Sequence, residues 1–84
     1  MCTNGINTGQ FTMMLEQMDD QMAVNRRWAH KMAHAAGDAG FDQTDQVLHK
    51  VQELLDEARA LITDAKDALE QDAEAASGVT VSLT

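Results

Sequence analysis

The sequence predicts an all-α protein, an antiparallel two-helix hairpin with helices at about 9–36 and 44–76. Proline is absent and the five glycines leave two long glycine-free stretches. In both stretches apolar residues recur at intervals of three and four, which is typical of one apolar side of a helix. The connection between them, GDAGFDQ, is so short that the second helix must fold back along the first.

The first predicted helix follows an N-terminal arm, residues 1–8. Asn7 or Thr8 is its candidate N-cap, and Gly37 is its candidate stop. Its apolar stripe comprises Phe11, Met14, Leu15, Met18, Met22, Trp28, Ala29, Met32, Ala35 and Ala36.

The second predicted helix starts near Asp42 or Thr44 and ends at Ser77 and Gly78. Its apolar residues follow a heptad pattern: Val47, Leu48, Val51, Leu54, Leu55, Ala58, Leu61, Ile62, Ala65, Ala68 and Leu69. Folding the chain about residue 40 sets Met22 opposite Ala58 and Met18 opposite Ile62, so that large side chains meet small ones.

The last eight residues, SGVTVSLT, alternate apolar and polar side chains and predict a short extended tail over 77–84. A lone strand leaves its backbone groups unpaired. The tail is therefore expected to pair with a partner's sheet, to pair with its own counterpart in a second copy, to fold back on the hairpin, or to fray.

A single hairpin of 84 residues is expected to have a thin core, because one partner helix covers only part of each broad apolar stripe. The sequence therefore predicts a homodimer that forms a four-helix bundle, or a higher oligomer. Asn25 either fixes the register of that interface or is simply solvated. The expected oligomer interface comprises Met14, Met18, Met22, Asn25, Trp28, Met32, Leu54 and Leu61.

Fourteen acidic and six basic residues give a net charge of −8, which argues against direct binding to nucleic acid or to anionic membranes. A protein with a basic surface is the expected partner, although acidity also serves solubility. The single cysteine, Cys2, excludes an internal disulfide, and neither a signal peptide nor a membrane span is recognisable. A cytoplasmic location is expected.

Most of the charge lies in the second helix, where residues 42–74 hold ten acids and three basic residues. Seven of these acids follow one another mostly at steps of three and four, which predicts an acidic ridge on the outward side of the helix. The ridge comprises Glu53, Asp56, Glu57, Asp64, Asp67, Glu70 and Glu74. It is a candidate site for a basic partner, and an ordinary solvated helix surface is the competing interpretation.

Few residues suggest chemistry. His30 and His34 are spaced to share a metal, but both point away from the apolar stripe, as does His49, so surface histidines are the favoured interpretation and no metal or cofactor is expected. No residue triad or glycine-rich phosphate loop suggests an enzyme.

Three functions remain open from the sequence. The first is a non-enzymatic adaptor or inhibitor, in one form an imitator of nucleic acid that blocks a basic partner. The second is a structural subunit of a helical homo-oligomer, since the length and hairpin form are similar to those of subunits of needle-type secretion filaments. The third is a metal-binding helical bundle.

Overall fold

The computed structural model describes residues 7–82, with side chains described for residues 7–76. Two helices pack against each other: α1 spans Thr8–Asp38 and α2 spans Asp42–Ser82. Together they form a rod with extents of 68, 17 and 14 Å. The predicted all-helical hairpin is confirmed in this part of the chain.

Helix α1 begins after Asn7, whose extended backbone and side chain cap it. The Asn7 Oδ1 atom accepts a hydrogen bond from the backbone N–H of Gln10 at 3.0 Å. This satisfies one of the four N–H groups that the first turn of a helix leaves without a partner. Of the two predicted caps, Asn7 is therefore the one that acts, and Thr8 is the first helical residue.

Helix α1 ends at Asp38, two residues later than predicted, and the glycine that stops it is three residues later. Gly37 was the expected stop, but the left-handed residue is Gly40, with a φ of +82°. The N–H of Gly40 donates to the carbonyl of Gly37 at 3.0 Å, and the N–H of Phe41 donates to the carbonyl of Ala36 at 2.8 Å. This pair of bonds is the Schellman arrangement, which uses a glycine just beyond the helix end.

Gly37 makes room for α2 instead of ending α1. A Cβ atom at this position would lie 2.7 Å from Oδ2 of Asp45, in the first turn of α2. The glycine is thus explained by the close approach of a carboxylate across the turn, a reason that only the fold reveals.

The extended tail predicted for residues 77–84 is wrong over residues 77–82, because α2 continues to Ser82. Ser77 and Gly78 do not end the helix. A glycine inside a helix costs only about 1 kcal/mol, and without proline the backbone N–H groups can keep bonding within the helix. A lone strand would leave them unpaired. Residues 1–6 of the predicted arm and residues 83–84 lie outside the described residues.

The two helices meet along a seam whose residues follow a regular heptad spacing of three and four. Every seam residue is buried or half-buried. The seam comprises Thr12, Leu15, Asp19, Met22, Arg26, Ala29, Ala33 and Ala36 from α1, and Asp45, Leu48, Gln52, Leu55, Arg59, Ile62, Lys66, Leu69, Ala73 and Ala76 from α2.

The core of this seam is thin. Only Ala29, Ala33 and Ile62 count as buried hydrophobic residues among those described. Cross-helix contacts pair Asp19 with Arg59 and His30 with Gln52, which agrees with the predicted fold about residue 40. The alanines lie towards the turn, where they let the two helices approach closely.

Replacing Ala33 with leucine should lower the free energy of unfolding by about 1–3 kcal/mol, because Ala33 is 0% exposed and the larger side chain must push the helices apart. Urea unfolding followed by circular dichroism measures the change. Ala60→Leu, at an exposed position of α2, is the control and should change stability by less than about 0.5 kcal/mol. Equal losses in both variants would contradict the seam described above.

Replacing Gly40 with alanine should cost about 1–2 kcal/mol, since a side chain resists a positive φ. No atom lies within 4 Å of the added Cβ, so the loss reports backbone strain alone. Gly9→Ala is the matched control in α1, where alanine favours the helix and meets Asn7 at an ordinary 3.5 Å. Stability should fall in the first variant and be unchanged or higher in the second.

Candidate functional site

One side of the hairpin is apolar and exposed to solvent. Among residues 7–76, twelve large hydrophobic residues are exposed, and nine of them each stand one residue before a seam position. We call this set the apolar face: Phe11, Met14, Met18, Trp28 and Met32 from α1, with Val47, Val51, Leu54 and Leu61 from α2. The other three, Met13, Val24 and Phe41, lie elsewhere.

Both helices present these residues on the same side of the rod. In antiparallel helices that share a heptad seam, residues one position before the seam lie on one side, and residues one position after it lie on the other. The histidines demonstrate the second half of this rule: His30, His34 and His49 each follow a seam residue, and their rings meet across the two helices.

The apolar face carries no charge over most of its length. The other residues that stand one position before the seam are Gln21, Asn25 and Ala35 in α1 and Thr44, Ala58, Ala65, Ala68, Asp72 and Ala75 in α2. Neither helix therefore places an ionisable side chain there from Phe11 to Ala35 or from Thr44 to Ala68. A strip of this size without charge is unusual on a protein with a net charge of −8.

The structure places seven of the eight predicted oligomer-interface residues on this side. They are Met14, Met18, Asn25, Trp28, Met32, Leu54 and Leu61, and all seven are exposed. The eighth, Met22, is a half-buried seam residue that packs within the hairpin. Trp28, which the sequence assigned to the stripe between the helices, is 62% exposed.

The acidic ridge lies away from the apolar face, and all seven of its carboxylates are exposed. Glu53, Asp56, Asp67, Glu70 and Glu74 follow seam residues directly, on the side where the histidines meet. Glu57 and Asp64 each lie two residues after a seam residue, on the outer surface of α2. No ridge residue falls among the residues that precede the seam.

Few basic side chains neutralise the ridge. Asp56 pairs with Arg26 across the helices, and Glu53 lies 3.7 Å from Lys50. The other five ridge carboxylates have no ion pair within the described part of the chain. Surface pairs of this kind contribute about 0–1 kcal/mol each, so the ridge keeps most of its negative field.

Other charges join the two helices inside the seam. Arg59 donates two hydrogen bonds to Asp19, at 2.9 and 3.4 Å, and Lys66 Nζ lies 3.6 Å from Glu16 Oε2. The hydrogen bond from Arg59 lowers the pKa of the Asp19 carboxyl below its ordinary value of 3.8, and the same contact raises the pKa of Arg59. The pair supports the register of the hairpin.

The three histidines form a cluster near the turn that the sequence did not predict. Their ring centroids are 4.5, 5.9 and 6.5 Å apart, and Nδ1 of His30 lies 3.0 Å from Oε1 of Gln52. The available signal was that His49, like His30 and His34, follows a seam position. Within the described residues, no group of three or more His, Cys, Asp or Glu side chains is arranged to hold a metal ion.

In residues 7–82, neither helix has a stretch long and apolar enough to cross a membrane. Searches of protein-family models, of curated proteins and of solved structures found no match to this chain.

Replacing Asp19 with asparagine should make the hairpin's stability less sensitive to acid. A carboxyl whose folded pKa is lowered stabilises the fold above its unfolded pKa of about 4, and this contribution disappears as the pH falls through the lower folded value. Urea midpoints from pH 7 to pH 2 should therefore show the wild type ahead of D19N at neutral pH, with the gap closing in acid. Asp64→Asn, at an exposed ridge carboxylate with no ion pair in the described residues, is the control for the loss of one acid. Parallel pH profiles of the wild type and D19N would contradict the prediction.

Proposed function

We propose that this protein is a non-enzymatic interaction module that self-associates through its apolar face and binds a basic protein through its acidic ridge. In this proposal two hairpins complete a four-helix bundle and present a ridge on each outer side. The observation that supports it is the segregation of acidic and large apolar side chains onto different sides of one rod. Such segregation gives each surface its own partner chemistry.

The arrangement of the ridge favours a partner over simple solubility. Acids at intervals of three and four on one helix repel each other by a few tenths of a kcal/mol per pair. Glu70 and Glu74 are four residues apart in α2, and no ion pair relieves either of them in the described residues. A basic partner would offset these costs on binding.

The shape of the ridge suits an adaptor or an inhibitor. From Glu53 to Glu74 it extends about 32 Å along the helix, at 1.5 Å per residue. A straight, exposed row of carboxylates can enter a basic groove built for a nucleic-acid backbone. An inhibitor that imitates nucleic acid is therefore the specific form of this proposal.

A structural subunit of a helical assembly is the second candidate, and the rod shape favours it. The hairpin is 68 Å long, and its apolar face runs parallel to the long axis over about 32 Å of α1. A face that met a different surface of the next copy would generate an open-ended filament, whereas a face that met itself would close as a dimer. Light scattering across a concentration series separates these outcomes by whether the mass stops at two copies.

The ridge can be tested with two variants of equal net charge. Glu57→Gln, Asp64→Asn, Asp67→Asn and Glu70→Gln together remove four ridge charges. Asp20→Asn, Asp38→Asn, Asp42→Asn and Asp72→Asn together remove four acids outside the ridge. Binding to a labelled poly-lysine peptide, measured by fluorescence anisotropy at low and physiological salt, should weaken about tenfold or more for the ridge variant.

The variant outside the ridge should bind within about threefold of the wild type. Equal weakening in both variants would mean that the probe senses only the net charge, and the ridge would then have no special role. Circular dichroism spectra should show that both variants keep the helical content of the wild type.

A further inference from the structure

Each helix of the hairpin has two contact directions at nearly a right angle. One is the seam with its partner helix, and the other is the apolar face, one residue back and therefore about 100° round the helix. In a four-helix bundle of square cross-section every helix touches two neighbours, about 90° apart. The hairpin thus supplies two adjacent helices of such a square. The exposed apolar face is the side on which each of them would contact one of the other two helices.

The seam itself has an inner and an outer edge, and their chemistry differs. Alternate seam residues that lie nearer the apolar face are all apolar: Leu15, Met22, Ala29 and Ala36 in α1, with Leu48, Leu55, Ile62, Leu69 and Ala76 in α2. The seam residues on the other edge are mostly polar or charged, as at Asp19, Arg26, Gln52, Arg59 and Lys66. The apolar arc of each helix is therefore centred between its two contact directions, where the middle of a bundle would lie.

We propose that the apolar face binds a second copy of this chain, face to face, and that the two hairpins close as a four-helix bundle. This inference rests on the self-association through the apolar face in the proposed function and specifies its geometry, a two-fold contact of that face with itself. A two-fold symmetric contact matches the face against itself, so each copy contributes the same residues. A hairpin also supplies the length and number of helices that the open half of the square requires.

The charge distribution favours this occupant. Two copies bring together a total charge of about −16 by simple doubling of −8, which would oppose association if the acids met. The ridges lie away from the apolar face of a rod whose short extents are 17 and 14 Å. Two ridges on opposite outer sides are therefore separated by more than the Debye length of about 8 Å at physiological salt, and their repulsion is screened.

The size of the face is adequate for a stable dimer. From Phe11 to Met32 the strip runs about 32 Å along α1, and the rod is 17 Å wide, so the projected area is on the order of 500 Å². Accessible area exceeds projected area on a ridged surface, so burial approaches the roughly 800 Å² per partner of a standard interface. Asn25 and Gln21 are polar residues on the same side of α1 as the apolar face. Their amides would hydrogen-bond across the dimer interface and restrict its register.

Met32→Glu and Met13→Glu form a matched pair for the test. The two methionines are on the same helix and are 53% and 70% exposed, but only Met32 belongs to the apolar face. Sedimentation equilibrium should give a dimer for the wild type at about 100 µM. M32E should raise the dissociation constant at least about hundredfold, because the symmetric interface would bury two new carboxylates, whereas M13E should change it less than about threefold.

Trp28, the single tryptophan, gives a second readout, since it is 62% exposed in the hairpin and lies on the face. Its emission should shift to shorter wavelength with rising concentration in the wild type and in M13E, but not in M32E. A monomer at 100 µM, an open-ended polymer, or equal weakening by both variants would overturn the inference. The poly-lysine assay on monomeric M32E tests the ridge separately, so failure of one proposal is distinguishable from failure of the other.

Discussion

The apolar arc of each helix is wider than one neighbouring helix can cover, and this constraint shapes the rest of the structure. The seam buries only one edge of the arc. Its α1 residues are alanines near the turn and a mixture of polar and apolar residues further from it. Ile62 is the largest buried residue in the described part of the hairpin. The larger side chains, Trp28 and Leu61 among them, remain on the uncovered edge, where burial of each would be worth about 1.5–3 kcal/mol if complete.

Charges compensate only in part for this thin core. Asp19 with Arg59, Asp56 with Arg26 and Glu16 with Lys66 join the helices at three levels, and these contacts resist sliding of one helix along the other. All three pairs remain accessible to water, so solvent screening keeps the contribution of each to stability small. They specify the register more than they stabilise the fold. Of the three basic residues only Arg26 pairs with a ridge carboxylate, whereas Arg59 and Lys66 pair with acids of α1, which leaves most of the ridge carboxylates unopposed.

The hairpin and its antiparallel register could be predicted from the sequence, because both follow from glycine spacing, helical periodicity and the short connection. The choice of seam could not. Two heptad stripes lie side by side on each helix, and periodicity defines their combined arc without showing which edge meets the partner helix. Met22, which was assigned to the oligomer interface, therefore lies in the seam, whereas Trp28 is exposed on the apolar face. The end of α2 could not be predicted from the sequence pattern either, because the alternation of apolar and polar residues at Val79 and Val81 is compatible with a helix when no proline intervenes.

The separation of ridge from apolar face means that the two surfaces can diverge independently. A substitution such as one at Glu57 or Asp67 changes the outward field without altering a side chain that precedes the seam. Descendants of this chain could therefore acquire new partners through successive surface changes while their mode of assembly is inherited intact. Evolution of recognition and conservation of architecture need not compete in such a scaffold.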